Sequence, residues 1–110
     1  MANAFKNALL PSVGTTGSDV YTAGAGVTTT IIGMTVANRE SSIINVDVEL
    51  TDTSTSTTTF LVKGAPVPTN SSLVVVGGDQ KVVLEESDTI TVTSDTAASA
   101  DATISILEQT

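Results

Sequence analysis

The 110-residue chain contains no cysteine, no histidine and no tryptophan. It therefore lacks the commonest general base, the usual zinc ligands and the thiol nucleophile. No serine lies in a Ser-x-x-Lys motif, so no hydroxyl has an evident activator. We expect a protein that is not an enzyme, with no catalytic residues, no cofactor and no metal.

Positive charge is also scarce. Four basic residues, Lys6, Arg39, Lys63 and Lys81, stand against twelve acidic ones, and the net charge is −8. These cations are scattered, whereas a nucleic-acid surface needs several clustered together. No apolar run approaches the ~20 residues of a membrane span. We expect neither nucleic acid nor membrane as a partner.

Threonine, serine, valine and isoleucine dominate the sequence, and β-branched residues pack well on pleated strands. The length fits one domain. Turn signals separate the predicted strands, which are 20–22, 27–38, 43–50, 58–63, 73–76, 81–84, 89–93 and 103–107. About eight short strands predict a single all-β domain at 20–110, an antiparallel β-sandwich or jelly roll.

Three connections carry distinct signals. Thr51–Thr57 is a polar tract typical of a hairpin end. Gly64–Asn70 contains two prolines, which predicts an irregular crossing. Gly77–Gln80 supplies the residues of a tight hairpin turn.

Alternation along the strands predicts the side chains that fill the core. They are Ile32, Met34, Val36, Ile44, Val46, Val48, Phe60, Val62, Val82, Leu84, Ile90, Val92, Ile104 and Ile106.

The N-terminal segment is the one candidate helix. Phe5 and Leu9 are four residues apart and would share a helical face, and Pro11 would end it. Such a short helix is marginal alone. We therefore predict an N-terminal arm and loop at 1–19, which docks through Phe5, Leu9 and Leu10 on a neighbouring subunit or on a partner protein. The alternative is an arm folded back on its own domain.

Several predicted strands carry consecutive apolar residues, among them Ile31–Ile32 and Val82–Leu84. Adjacent apolar side chains imply that both faces of a strand are covered, but a small sandwich has only one interior. This predicts a homo-oligomer, with Leu73, Val74, Val75 and Val76 partly in subunit or arm contacts.

Two acidic segments, Asp47–Asp52 and Glu85–Asp88, raise the question of calcium. The spacing of an EF-hand loop is absent. The favoured interpretation is a solvated strand face and a turn, in which Asp88 accepts backbone hydrogen bonds. A loose calcium site stays open as the alternative.

Several runs of sequence resemble small virion structural proteins of tailed bacteriophages, particularly marine cyanophages. These runs are Val20–Thr22 with Gly26–Asn38, Phe60–Pro68, Ser72–Lys81 and Leu84–Val92. The resemblance covers roughly residues 20–107 and implies a structural component with no active site.

The resemblance leads to the expected function, a capsid decoration or cement protein. It would bind the major capsid protein as a homo-oligomer, with a trimer favoured, on the virion exterior after synthesis in the host cytoplasm. One alternative is a neck, collar or tail-fibre-associated component that binds another virion protein. A second is a host-adhesion β-sandwich that binds carbohydrate or calcium, although the few aromatic residues disfavour sugar stacking.

Overall fold

The computed structural model describes residues 2–110 and leaves Met1 outside. Within that range the chain is all-β, as predicted. It forms nine strands: β1 (Asn3–Val13), β2 (Ser18–Thr22), β3 (Thr28–Asn38), β4 (Ile44–Asp52), β5 (Thr57–Val67), β6 (Ser72–Val76), β7 (Val82–Leu84), β8 (Thr89–Ser94) and β9 (Ala100–Gln109). Across residues 2–110, no helix is long and apolar enough to cross a membrane.

The strands form two antiparallel sheets. One has the order β1-β9-β3-β6, with β7 also paired to β3, and the other has the order β2-β8-β4-β5. β6 and β7 lie end to end along the same side of β3. Counted as one interrupted strand, they give two four-stranded layers with the strand order of a jelly roll. The predicted β-sandwich is confirmed.

The core lies between the two sheets, and most of the predicted core residues are buried there. In β4, Ile44, Val46 and Val48 face inward as alternation predicts, and each is at most 1% exposed. The prediction fails at Ile32 and Phe60, which are 36% and 47% exposed, and Val62 is only partly buried.

A β-bulge explains the position of Ile32. Ile31 pairs with Ile106 of β9, and the next pair is Gly33 with Ser105, so Ile32 is the extra residue. A bulge of this kind shifts the inside–outside alternation by one position. Ile31 therefore enters the core in place of Ile32.

A register shift also explains Phe60. In the β4–β5 pair, Val62 lies opposite Val48 and Phe60 lies opposite Glu49, which leaves Leu61 as the extra residue. Directly paired residues share a face, so Phe60 lies on the outer face with Glu49. Its ring packs under the ammonium of Lys63, which is 4.5 Å from the ring centroid.

The N-terminal segment forms neither the candidate helix nor a separate arm, and it lies on its own domain as the alternative predicts. Asn3–Val13 is β1, an edge strand of the sandwich, and Asn3–Leu10 pairs with β9 without interruption. Residues four apart share a face in a strand as well as in a helix, so the spacing of Phe5 and Leu9 could not distinguish the two. Pairing with β9 supplies hydrogen bonds that an isolated arm would lack.

Two predicted connections also differ from the structure. Gly77–Gln80 is not a hairpin turn, because the strands on either side of it both run antiparallel to β3. It is a loop that joins β6 to β7, which lie end to end along β3. Gly64–Val67 continues β5 and is not part of an irregular crossing, since Pro66 sits on an edge strand where no ladder donor is lost.

Candidate interaction surface

The outer faces of the two sheets differ in charge. On the four-stranded sheet, one cross-strand row contains Asp19, Thr91, Glu49 and Phe60. Asp47 lies beside this row, opposite Thr93 of β8. This outer surface is acidic, which agrees with the outward direction predicted for Asp47 and Glu49.

The outer surface of the five-stranded sheet is different, and we call it the uncharged face. It consists of three cross-strand rows, Phe5–Leu107–Thr30–Val83, Asn7–Ser105–Gly33 and Leu9–Thr103–Thr35–Val74. None of these residues is charged. The nearest ion pair, Arg39 with Asp101, lies beyond the last row, where Asp101 is opposite Ala37.

The most exposed apolar residues of the uncharged face lie at its two edges. Phe5 and Leu9 on β1 are 77% and 64% exposed, and Val74 and Val83 on the opposite edge are 65% and 55% exposed. The middle strands carry mostly threonine and serine, together with Leu107 beside Phe5. Interface cores are depleted of charge and enriched in aromatic side chains, and exposed apolar patches commonly mark contact sites. The uncharged face is therefore the candidate interaction surface.

The residues predicted for an interface fall on both edges of this sheet. Phe5 and Leu9 lie at the β1 edge and Val74 lies at the β6 edge, so one molecule does not bring them together. Leu10, Leu73 and Val75 are half-buried, as partners of the core. Val76 is also predicted to take part in subunit or arm contacts, but it is 2% exposed and faces the core opposite Met34.

Sequence reasoning missed Leu107, Val83 and the threonines of the middle strands as parts of this surface. Their common signal is position on the outward face of β3, β7 and β9. That signal requires the strand order, since Phe5 and Leu107 lie side by side although they are far apart in the chain.

A polar cluster holds β1 to both sheets at the rim of the sandwich. The ammonium of Lys6 lies 2.8 Å from the Glu108 carboxylate, which also accepts a hydrogen bond from the Tyr21 hydroxyl. Tyr21 contacts Thr29 through a 2.8 Å hydrogen bond. Hydrogen bonds from Lys6 and Tyr21 hold the pKa of Glu108 below its usual value, while burial, reinforced by Glu108, raises the pKa of Tyr21. Lys6, the one cation of β1, therefore forms its ion pair within its own subunit.

A second acidic group lies where the two predicted acidic segments meet. The carboxylates of Asp52, Glu85 and Asp88 have oxygens within 4.8 Å of one another. Asp88 is 3% exposed and accepts backbone N–H groups of Thr53 and Glu85 at 3.1 and 3.0 Å. Hydrogen bonds, led by the hydroxyl of Ser54, lower the pKa of Asp52. The predicted turn role of Asp88 is confirmed, and the protein itself supplies hydrogen-bond donors to the carboxylates of Asp52 and Asp88.

A shallow hollow of about 230 Å³ lies beside Leu9 at the border of the uncharged face, and its lining includes Pro11, Asp101 and Thr103. Asp101 is its one titratable residue. The carboxylate accepts the backbone N–H of Ser12 at 3.0 Å and pairs with Arg39. The acid in this hollow therefore stabilises the bulge that ends β1.

Comparison with known proteins adds evidence on the fold alone. No protein-family model and no curated protein matches the chain. A solved structure described as "Bacillus endospore appendages form a novel family of disulfide-linked pili" is similar, with a TM-score of 0.57 and 15% identity over 98% of this chain and 88% of that one. That protein is bacterial and not from a phage. This chain has no cysteine and cannot form the disulfides named there.

Proposed function

We propose that this chain is a non-enzymatic structural subunit of a phage virion, a capsid decoration or cement protein that acts as a homo-oligomer. The observation that carries the proposal is the uncharged face. The chain has a net charge of −8, and yet the three rows of this face carry no charge, and the nearest carboxylate, that of Asp101, is paired with Arg39.

The absence of charge on this face matters because the protein as a whole is acidic. Two acidic surfaces repel each other, and burying an unpaired charge is costly. A surface of threonine, serine and apolar side chains avoids both the repulsion and the burial of an unpaired charge, and its threonine hydroxyls can form hydrogen bonds across a contact. The uncharged face thus suits attachment to a capsid protein or to another copy, while the acidic face suits exposure to solvent.

The similar solved structure supports the same general class. Its description names pili, which are assemblies of repeated subunits. The virion assignment itself depends on the sequence resemblance to phage structural proteins. An assembly of this chain cannot be linked by disulfides, since it has no cysteine.

A charge placed on the uncharged face tests the proposal. Thr103 is exposed at the centre of the Leu9 row, and Thr103→Glu should reduce attachment to particles that lack the protein by about tenfold or more, because a buried unpaired carboxylate is costly. Thr58→Glu is the matched control, since Thr58 is an exposed threonine opposite Thr51 on the outer face of the four-stranded sheet. Equal attachment of both variants would contradict the assigned surface.

The same face would serve a neck, collar or tail-fibre-associated component. Copy number per purified particle distinguishes these locations. A decoration protein is present in many copies over the whole shell, whereas a neck or tail component is present in few copies at one vertex. Absence from purified particles would contradict both.

A further inference from the structure

We propose that β1 pairs edge to edge with β1 of a second copy, antiparallel and centred on Asn7, so that two uncharged faces form one continuous surface. This inference rests on the self-association in the proposed function and specifies its contact. The first observation is the contrast between β1 and the other three sheet edges.

Three of the four edges are protected against pairing. β2 has five residues and a register shift after Asp19. β5 has two register shifts and contains Lys63, Gly64 and Pro66. The β6–β7 edge is broken by the loop at residues 77–81. Short strands, bulges, proline and lysine are the usual devices that prevent edge pairing.

The β1 edge has little such protection. Asn3–Leu10 is a regular ladder of eight residues against β9, and the register shift comes only after Leu10. Its one charged residue, Lys6, is held by Glu108 of the same subunit. An edge of this length exposes a row of unpaired backbone groups, which is a template for another strand.

The sequence of β1 is self-complementary about Asn7. In an antiparallel pair centred there, Asn7 lies opposite its own copy, and Phe5 lies opposite Leu9 twice. These two side chains are 77% and 64% exposed in one subunit. Paired residues share a face, so both apolar pairs would lie on the continuous uncharged surface.

The neighbouring registers are worse. Centring the pair on Lys6 places two ammonium groups directly opposite each other, which is destabilising. Centring it on Ala8 places Leu9 opposite Asn7 and Phe5 opposite Pro11. A pair centred between two residues, with Asn7 opposite Lys6 for example, would put the uncharged face of one copy on the same side as the acidic face of the other. The register centred on Asn7 avoids each of these faults.

Single cysteines test the contact, because the wild-type chain has none. Asn7 is exposed, so Asn7→Cys should fold normally. Directly opposed strand residues have Cα atoms about 4.5–5.5 Å apart, within the range of a disulfide. Under mild oxidation, Asn7→Cys should form covalent dimer on the order of a hundredfold faster than Thr103→Cys, an exposed control on the neighbouring strand.

The register has its own test. A mixture of Phe5→Cys and Leu9→Cys should cross-link, whereas each variant alone should stay monomeric in denaturing gels. Native mass spectrometry of the wild-type protein should give a dimer or a multiple of it. A trimer, cross-linking of Phe5→Cys to Val83→Cys, or equal rates for Asn7→Cys and Thr103→Cys would overturn the inference. If any of these outcomes occurred and the protein still bound particles, the proposed function would stand without this contact.

Discussion

Truncating Ile104 should destabilise the protein far more than truncating the larger Phe60. Ile104 is fully buried in the five-stranded sheet, opposite Ala8 on one side and Met34 on the other. Ile104→Ala removes buried carbons and leaves a cavity, at a cost of about 2–5 kcal/mol.

Phe60 has much less to lose. It is 47% exposed, and full burial of such a side chain is worth about 1.5–3 kcal/mol, so about half of that is at stake. The contact with Lys63 adds about 0.5–1 kcal/mol for an exposed cation–π pair. We expect Phe60→Ala to cost about 1.3–2.5 kcal/mol in total.

Urea unfolding followed by circular dichroism measures both variants. Equal slopes of the unfolding free energy against urea would show that the unfolded states are comparable. A larger loss for Phe60→Ala than for Ile104→Ala would contradict the assigned register of β5 and with it the position of Phe60 on the outer face.

Three further predictions follow from the polar groups and the uncharged face. Hydrogen bonds from Lys6 and Tyr21 lower the folded-state pKa of Glu108, so the stabilisation from these bonds is complete above the unfolded-state pKa and is lost as the pH falls through the folded-state pKa. Glu108→Gln should therefore flatten the decline in unfolding free energy below about pH 4.5, measured by urea titrations across pH. Asp88→Ala leaves two backbone N–H groups unpaired and should cost about 2–5 kcal/mol, with partial recovery in Asp88→Asn, measured by thermal unfolding. Self-association through an uncharged contact should change less than about twofold in Kd between 0.1 and 1 M salt, measured by sedimentation; a strong loss would indicate ionic contacts.

The part of the fold that depends on regular alternation could be predicted from the sequence. β4 is the clear case, since Ile44, Val46 and Val48 alternate with polar residues and all three are buried. The errors occur where a strand contains an extra residue. Gly33 beside Ile32 is a weak signal of a bulge, since glycine inside a strand often marks one, but the position of the extra residue is defined by the partner strand.

The candidate surface could be predicted only in part. Consecutive apolar residues predicted an apolar surface outside the core that a partner covers. Val74 is exposed in the single chain, and its cover by a partner stays a prediction. The uncharged face depends on which strands are neighbours. Only the strand order places Phe5 beside Leu107 and sends Asp47 to the opposite side of the molecule. Pairing between distant segments is set by the whole chain and not by local pattern.

A reconstruction of the virion that resolves the strands of this subunit tests the central claim most directly. The account predicts that the uncharged face, with Thr103 and Thr35 at its centre, is covered by a capsid protein or another copy, while Asp47 and Glu49 face solvent. Absence of the subunit from the particle, or a subunit attached through its acidic face with Thr103 in solvent, would contradict it.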